Sequence, residues 1–244
     1  MHNLLENILE TKSFATRDSG PLQVHSGISK GQCEFLQQLI RANQFNSSVE
    51  VGFAFGISTL AIIEEIARNG GSHTVIDKYE LSAWKGAGLD LVEQAGFGHA
   101  LQFHEEFCYI VLPELLAEGK KFDFAFIDST KQLDWLLVDF FYIDKMLAPG
   151  GMVVFDDVTC PGIRKLLRYI AQFPSYQVHA TFPGNLPPSR KRKIVTALKY
   201  LPYSEKYIKE NVIRTDFDMG LNTHCVALRK KGDDKRNWDW HVDF

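Results

Sequence analysis

The stretch SVEVGFAFGIST, residues 48–59, constrains this chain more than any other. A short apolar run, Val49 and Val51 around the single acid Glu50, gives way to Gly52 and Gly56, and a helix is expected from about Ser58. Strand, glycine turn and helix in that order form the unit from which open α/β sheets are built. Gly52 can take positive φ where the strand ends, and Gly56 has no Cβ to keep a ligand or the next turn away from the backbone. Ser58 or Thr59 is expected to cap a helix whose free N–H groups face the bound molecule.

The rest of the chain repeats this unit. Ahead of it lie a short amphipathic helix at 4–9, a loop at 13–29 broken by Gly20, Pro21 and Gly27, and a helix from Ser29 or Lys30 to about Ala42. That loop reads either as cover for a site or as a surface connection. Further strands are expected at 73–76, 100–103, 122–127 and 152–155, alternating with helices at 58–68, 83–94, 111–116, 133–146 and 163–173. Residues 122–127 are almost wholly apolar, as a parallel strand covered on both faces requires. Residues 176–182 and 223–228 read as two last strands, paired as an antiparallel hairpin at the sheet edge. The expected fold is α/β: a Rossmann-like, doubly wound, seven-stranded sheet, mostly parallel with one antiparallel edge strand, and helices on both faces.

A chain of 244 residues, 45% hydrophobic and 23% charged, suits one such domain. Within it we distinguish leading helices and loop (1–47), a core (48–182), an insertion (183–222) too long for a plain loop, and a final strand with an aromatic tail (223–244). The insertion is expected to shape the pocket or an oligomer contact. Trp238, Trp240 and Phe244 are expected to dock on the same fold or on a second copy, so a homodimer is compatible with the sequence. The net charge of −3 argues against a polyanion binder, and the basic run Arg190–Lys193 reads as a solvated face. Nucleic acid is therefore not an expected partner. Cys33, Cys108, Cys160 and Cys225 form no CxxC pair and read as reduced thiols of a cytoplasmic protein. No apolar run approaches the roughly 18 residues of a membrane helix, so no membrane partner is expected.

The functional signal is at the strand ends. Asp77, Asp128 and Asp156 each follow a different strand, and ligands of open parallel sheets bind beyond the carboxyl ends of the strands. One such aspartate is an ordinary turn residue; three converging from separate strands mark a cleft.

Glu50-Val51-Gly52-x-x-x-Gly56-x-Ser58 resembles the first motif of class I S-adenosylmethionine-dependent methyltransferases. It is most similar to the small-molecule O-methyltransferase branch that includes caffeoyl-CoA and catechol O-methyltransferases. Phe126-Ile127-Asp128-Ser129-Thr130-Lys131 resembles that branch's fourth-strand motif, and Leu147–Gly151 with Val154–Val158 its fifth. The resemblance covers about residues 28–173 and the closing strand near Cys225–Arg229. It implies that Gly52, Phe53 and Gly56 cradle the methionine part of S-adenosylmethionine, with Glu50 behind the turn and Ser58 capping the helix. It implies that Asp77 accepts from both ribose hydroxyls, which suits a carboxylate with its two acceptor oxygens. The third-strand region departs from the family: Glu106-Phe107-Cys108 stands where Gly-Asp-Ser or Gly-Asp-Ala is frequent, leaving Phe107 to stack on the adenine. The resemblance also implies that Asp128 serves both catalysis and cofactor binding.

The resemblance further implies Mg²⁺ or Ca²⁺ held by Asp128, Asp156 and Asp157, the last standing where the branch has asparagine, with Lys131 as general base. Two other readings stand beside it: relatives with an Asp-Asp pair that lack the metal, and Lys131 as a surface residue at a helix start. The implied reaction is in-line methyl transfer to an oxygen of a small-molecule acceptor. The alternatives are a protein that binds the cofactor or a nucleotide without turnover, and a nicotinamide-dependent dehydrogenase. Against the latter, the turn is Gly-x-x-x-Gly and not Gly-x-Gly-x-x-Gly. An RNA methyltransferase has only the short basic run in its favour.

Overall fold

The computed structural model describes residues 1–16, 20–187 and 214–242. In chain order the elements are α1 (Asn3–Thr11), β1 (Ser13–Thr16), β2 (Gly20–Gln23), α2 (Lys30–Asn43), β3 (Ser47–Val51), α3 (Ile57–Arg68), β4 (Ser72–Ile76), α4 (Ala87–Gln94), β5 (Leu101–His104), α5 (Cys108–Ala117), β6 (Phe122–Ile127), α6 (Leu133–Met146), β7 (Leu147–Phe155), α7 (Pro161–Ile170), β8 (Tyr176–Phe182) and β9 (Cys225–Lys230).

Seven strands form one sheet in the order β5-β4-β3-β6-β7-β9-β8. The first five in space are parallel neighbours. The strand that runs against them is β9, which pairs antiparallel with both β7 and the outermost strand β8. The expected edge hairpin is therefore present, with its last-in-sequence strand one place in from the rim. The order turns around between β3 and β6, so the chain leaves the sheet centre in two directions and opens a crevice there.

Alternation along β6 shows how both faces are covered. Phe124 and Phe126 pack with α1, α2, α3 and α4 residues such as Leu5, Leu36, Leu60 and Leu91. Ala125 and Ile127 point the other way, to Leu112, Leu136, Phe140 and Leu167 of α5, α6 and α7. Successive side chains on a strand face opposite sides, so a continuous apolar run serves two cores.

Local rules moved several boundaries. The expected loop at 13–29 contains an antiparallel hairpin, β1 with β2, anchored by buried Phe14. Pro21 is tolerated because each strand of a two-stranded ladder has an open edge. The helix expected from residue 83 begins at Ala87, because Lys85 and Gly86 are left-handed and interrupt it. Ahead of it, Glu80 is fully buried and accepts from the Gly88 and Leu89 amides at 2.8 and 3.2 Å, tying the turn to the start of α4. Burial pushes the Glu80 carboxyl up to about 7.

The ends of the expected insertion are anchored: Leu186 N–H donates to the Asn222 carbonyl, and Arg168 pairs with Asp216 at 2.9 Å. Arg190–Lys193 lies outside the described residues. In the tail, Trp240 packs on Tyr169 and Phe173, whereas Trp238 is 93% exposed and Phe244 lies outside the described residues. Among the described residues no helix is long and apolar enough to cross a membrane.

Candidate functional site

A cleft of about 460 Å³ opens at the crevice between β3 and β6. Its walls bring together nearly all the residues singled out in the sequence: Gly52, Phe53, Ser58, Asp77, Phe107, Asp128, Lys131, Asp156 and Asp157. Glu50 and Gly56 stand behind the wall and shape it.

The glycine turn is held by close approach. Gly52 has φ of +102°, and a Cβ there would lie 2.4 Å from the Asp128 carbonyl oxygen. Any side chain would separate the turn of β3 from the end of β6. Behind the turn, Glu50 is fully buried and accepts from Ser58 Oγ at 2.5 Å and Thr59 Oγ1 at 2.6 Å. His73 Nε2 is 2.9 Å from the same carboxylate, and its Nδ1 is 2.8 Å from Ser48 Oγ. Ser58 therefore does not cap its helix as expected. Gly56 is the N-cap of α3, without a side-chain cap, and Ser58 is drawn to the carboxylate on the adjoining strand. The first amides of α3 thus have no capping side chain at this wall of the cleft.

Asp77 follows β4 and grips the same turn. One oxygen accepts from Phe53 N–H at 2.8 Å and Ala54 N–H at 3.3 Å; the other accepts from Tyr79 N–H at 2.8 Å. A carboxylate has about four acceptor positions, so one lone pair stays available to a ligand. The Phe53 ring is buried against Phe103.

Phe107 stacks on Tyr109 with ring centroids 5.1 Å apart, and Trp135 meets both edge-on. Lys78 stands 5.6 Å from the Phe107 ring and pairs with Glu106 at 3.3 Å. Tyr79 and Trp84 add further aromatic surface. This wall presents flat, polarisable faces where the third-strand region departs from the family pattern.

The opposite wall is acidic. Lys131 Nζ lies 2.6 Å from Asp128 Oδ1 and 3.1 Å from Asp157 Oδ2. Its backbone is fixed from behind, since a Cβ on Gly162 of α7 would lie 2.3 Å from the Lys131 carbonyl. Asp156 is only 6% exposed and accepts from Gln32 Nε2 at 2.7 Å. Burial, then the charge of Asp128, pushes the Asp156 carboxyl up to about 7. Burial raises Asp128 as well, against the pull of Lys131. Burial opposes the charge on Lys131, but the two carboxylates outweigh it and its pKa is raised. Lys131 is thus an ammonium at neutral pH in this arrangement. Among the described residues, no group of three or more His, Cys, Asp or Glu is placed to hold a metal ion.

Sequence reasoning missed Gln32. It occupies the third position of α2 and completes a capping box with Ser29: its Oε1 accepts from the Ser29 N–H at 3.0 Å while its own N–H reaches Ser29 Oγ at 3.3 Å. The Ser-x-x-Gln pattern signals the box. Nothing local signals Asp156, which lies 124 residues away. His73 was missed too, because its role needs the β3–β4 register that sets Ser48 beside it.

Residues 49–158 match the family model described as a methyltransferase domain. Caffeoyl-CoA O-methyltransferase 2 of Zea mays is 29% identical over 163 residues, 59% of this chain and 58% of that protein. Caffeoyl-CoA O-methyltransferase of Petroselinum crispum is 28% identical over 160 residues, 59% and 63% respectively. The chain thus spans roughly three fifths of these relatives. The O-methyltransferase from Bacillus cereus, solved in complex with SAH, superposes with a TM-score of 0.60 at 22% identity over 73% of this chain and 83% of that one. The O-methyltransferase TomG from Streptomyces achromogenes, solved with SAM, gives 0.59 at 18% over 84% and 82%. The resemblance read from the three motifs is borne out, and so is the fold.

Proposed function

We propose that this chain, whose core is a methyltransferase domain of the class I S-adenosylmethionine-dependent kind, transfers a methyl group from S-adenosylmethionine to an oxygen of a small-molecule acceptor. The observation that carries the reading is the cleft itself: the glycine turn and Asp77 stand on one wall, and Asp128, Lys131 and Asp156 on the other. In this reading the turn from Gly52 to Gly56 and the start of α3 take the methionine part, and Asp77 takes a ribose hydroxyl. Phe107 stacks on the adenine. Its neighbours Tyr109 and Trp135 keep that ring in place.

Methyl transfer asks little covalent chemistry of a protein. It asks that nucleophile and sulfonium be held in line at near-contact distance, away from water. The acceptor hydroxyl is placed beside Lys131. As the oxygen–methyl bond forms and the methyl–sulfur bond breaks, the hydroxyl proton passes to a carboxylate of the acid wall. Asp156, pushed up to about 7, is suited to hold it. Lys131, paired as an ammonium, stabilises the developing oxyanion instead of serving as the base. The metal-assisted version does not fit these side chains, because Lys131 and Gln32 already engage the carboxylates that would be ligands.

A second copy would find apolar surface on α6, where Leu137, Val138 and Phe141 are 37–54% exposed. A cytoplasmic homodimer is the assembly we propose, and light scattering on the purified chain tests it. For the activity, methyl-labelled S-adenosylmethionine is incubated with a panel of catechols and hydroxycinnamoyl thioesters, and label in the organic extract is counted. Transfer abolished in Asp128→Asn supports the proposal. Cofactor binding with no transfer to any acceptor would favour the non-catalytic reading.

A further inference from the structure

The acid wall holds three aspartates, yet each carboxylate is engaged by an organic donor. Lys131 Nζ bridges Asp128 and Asp157 at 2.6 and 3.1 Å, an ion pair with each carboxylate. Gln32 Nε2 takes Asp156 Oδ1 at 2.7 Å. That amide cannot turn round, because its oxygen accepts from the Ser29 N–H and hydroxyl at 3.0 and 2.8 Å. The Lys131 backbone cannot retreat either, with Gly162 packed on its carbonyl.

A divalent cation would need oxygens at about 2.0–2.6 Å. Placed between Asp128 and Asp157 it would stand on the ammonium itself. Moved toward Asp156 it would meet the Gln32 N–H group. Each route places positive charge against positive charge, or a cation against a donor, in a partly desolvated pocket where such contacts are costly.

We propose that Lys131 is the resident cation of this wall, that Lys131 and Gln32 together close it to divalent metal, and that the acceptor oxygen is positioned by the ammonium. The last part rests on the methyltransferase reading; the closure to metal does not. Substituting Lys131 by an uncharged residue of similar length removes the ammonium from between Asp128 and Asp157 and leaves that pair of carboxylates open to a divalent cation.

The test is Mn²⁺ titration of the full chain, following loss of the free-ion electron spin resonance signal, for wild type, Lys131→Met, and Lys131→Met with Gln32→Glu. The Gln32→Glu change keeps an acceptor for the Ser29 cap and adds a carboxylate. Unfolding midpoints verify that each variant folds. The expected result is Mn²⁺ affinity at least about tenfold higher in Lys131→Met than in wild type, and higher again in the double variant. Adding Asp128→Asn should remove the gain. Tight Mn²⁺ binding by wild type that is lost in Asp128→Asn would overturn the proposal. No gain in either variant would overturn it equally, since Lys131 would then not be what closes the wall. Separate titration with S-adenosylhomocysteine tells a failure of the methyltransferase reading from a failure of this one.

Discussion

Glu50, on β3, and Asp156, just past the end of β7, are both buried carboxylates beside β6, and they are held in opposite ways. Glu50 is ringed by Ser58, Thr59 and His73, so its burial is compensated by donors on every side. Asp156 takes the Gln32 amide and the Asp157 backbone N–H, but burial and the charges of Asp128 and Asp157 outweigh them, and its carboxyl is raised to about 7. A satisfied carboxylate fixes a backbone; an under-compensated one stores chemistry. The glycine-turn wall of the cleft is therefore held by satisfied contacts, and under the proposed function the wall of Asp156 is the reactive one.

That contrast is broken most severely at Glu50. In Glu50→Ala two hydroxyls and one imidazole lose their common partner in a fully buried place. At roughly 1–3 kcal/mol per orphaned group, the loss should reach at least ~3 kcal/mol, read by urea unfolding. If stability is unchanged, the network is not what holds the turn.

Gly52→Ala is next. Positive φ and a Cβ 2.4 Å from the Asp128 carbonyl should together cost about 2–4 kcal/mol and weaken S-adenosylhomocysteine binding by more than tenfold. Undiminished affinity would show that this close approach does not shape the pocket.

On the acceptor side the effect is a pH dependence. The Asp156 carboxyl moves from 3.8 to about 7 on folding, so between those values the folded chain keeps a proton the unfolded chain has lost. Its contribution to stability therefore falls as pH rises through that window and is level above it. Asp156→Asn removes this fall. Relative to wild type the variant should gain up to roughly 4 kcal/mol between pH 4 and pH 8, measured as the difference of two unfolding series. A difference independent of pH would contradict the burial argument.

Gln32 gives the smallest and most discriminating effect. Gln32→Ala should cost about 1 kcal/mol through the lost capping box. Gln32→Glu keeps the cap and sets a like charge against Asp156. Its deficit should therefore appear above pH 7 and vanish in the background of Asp156→Asn. A pH-independent deficit would leave only the cap.

The same contrast explains what the sequence made legible. The glycine turn, the strand-end acids and the apolar run of β6 are local patterns with one physical reading each, and all fell where expected. Ser58 was misread as a cap because its partner Glu50, eight residues earlier, becomes its neighbour only when β3 and α3 pack. The hairpin of β1 and β2 was hidden because Phe14 gains its burial from the core and not from its neighbours in sequence. Lys131 could be seen as a residue beside Asp128, but its pairing with Asp157 depends on two strand ends meeting.

The most direct test of the central claim is calorimetric titration with S-adenosylhomocysteine of wild type and Asp77→Asn. The account predicts saturable one-to-one binding, weakened about tenfold or more in the variant, because Asp77 both holds the Phe53 and Ala54 amides and keeps an acceptor position for the ribose. Absence of binding by wild type, or equal binding by both, would contradict it.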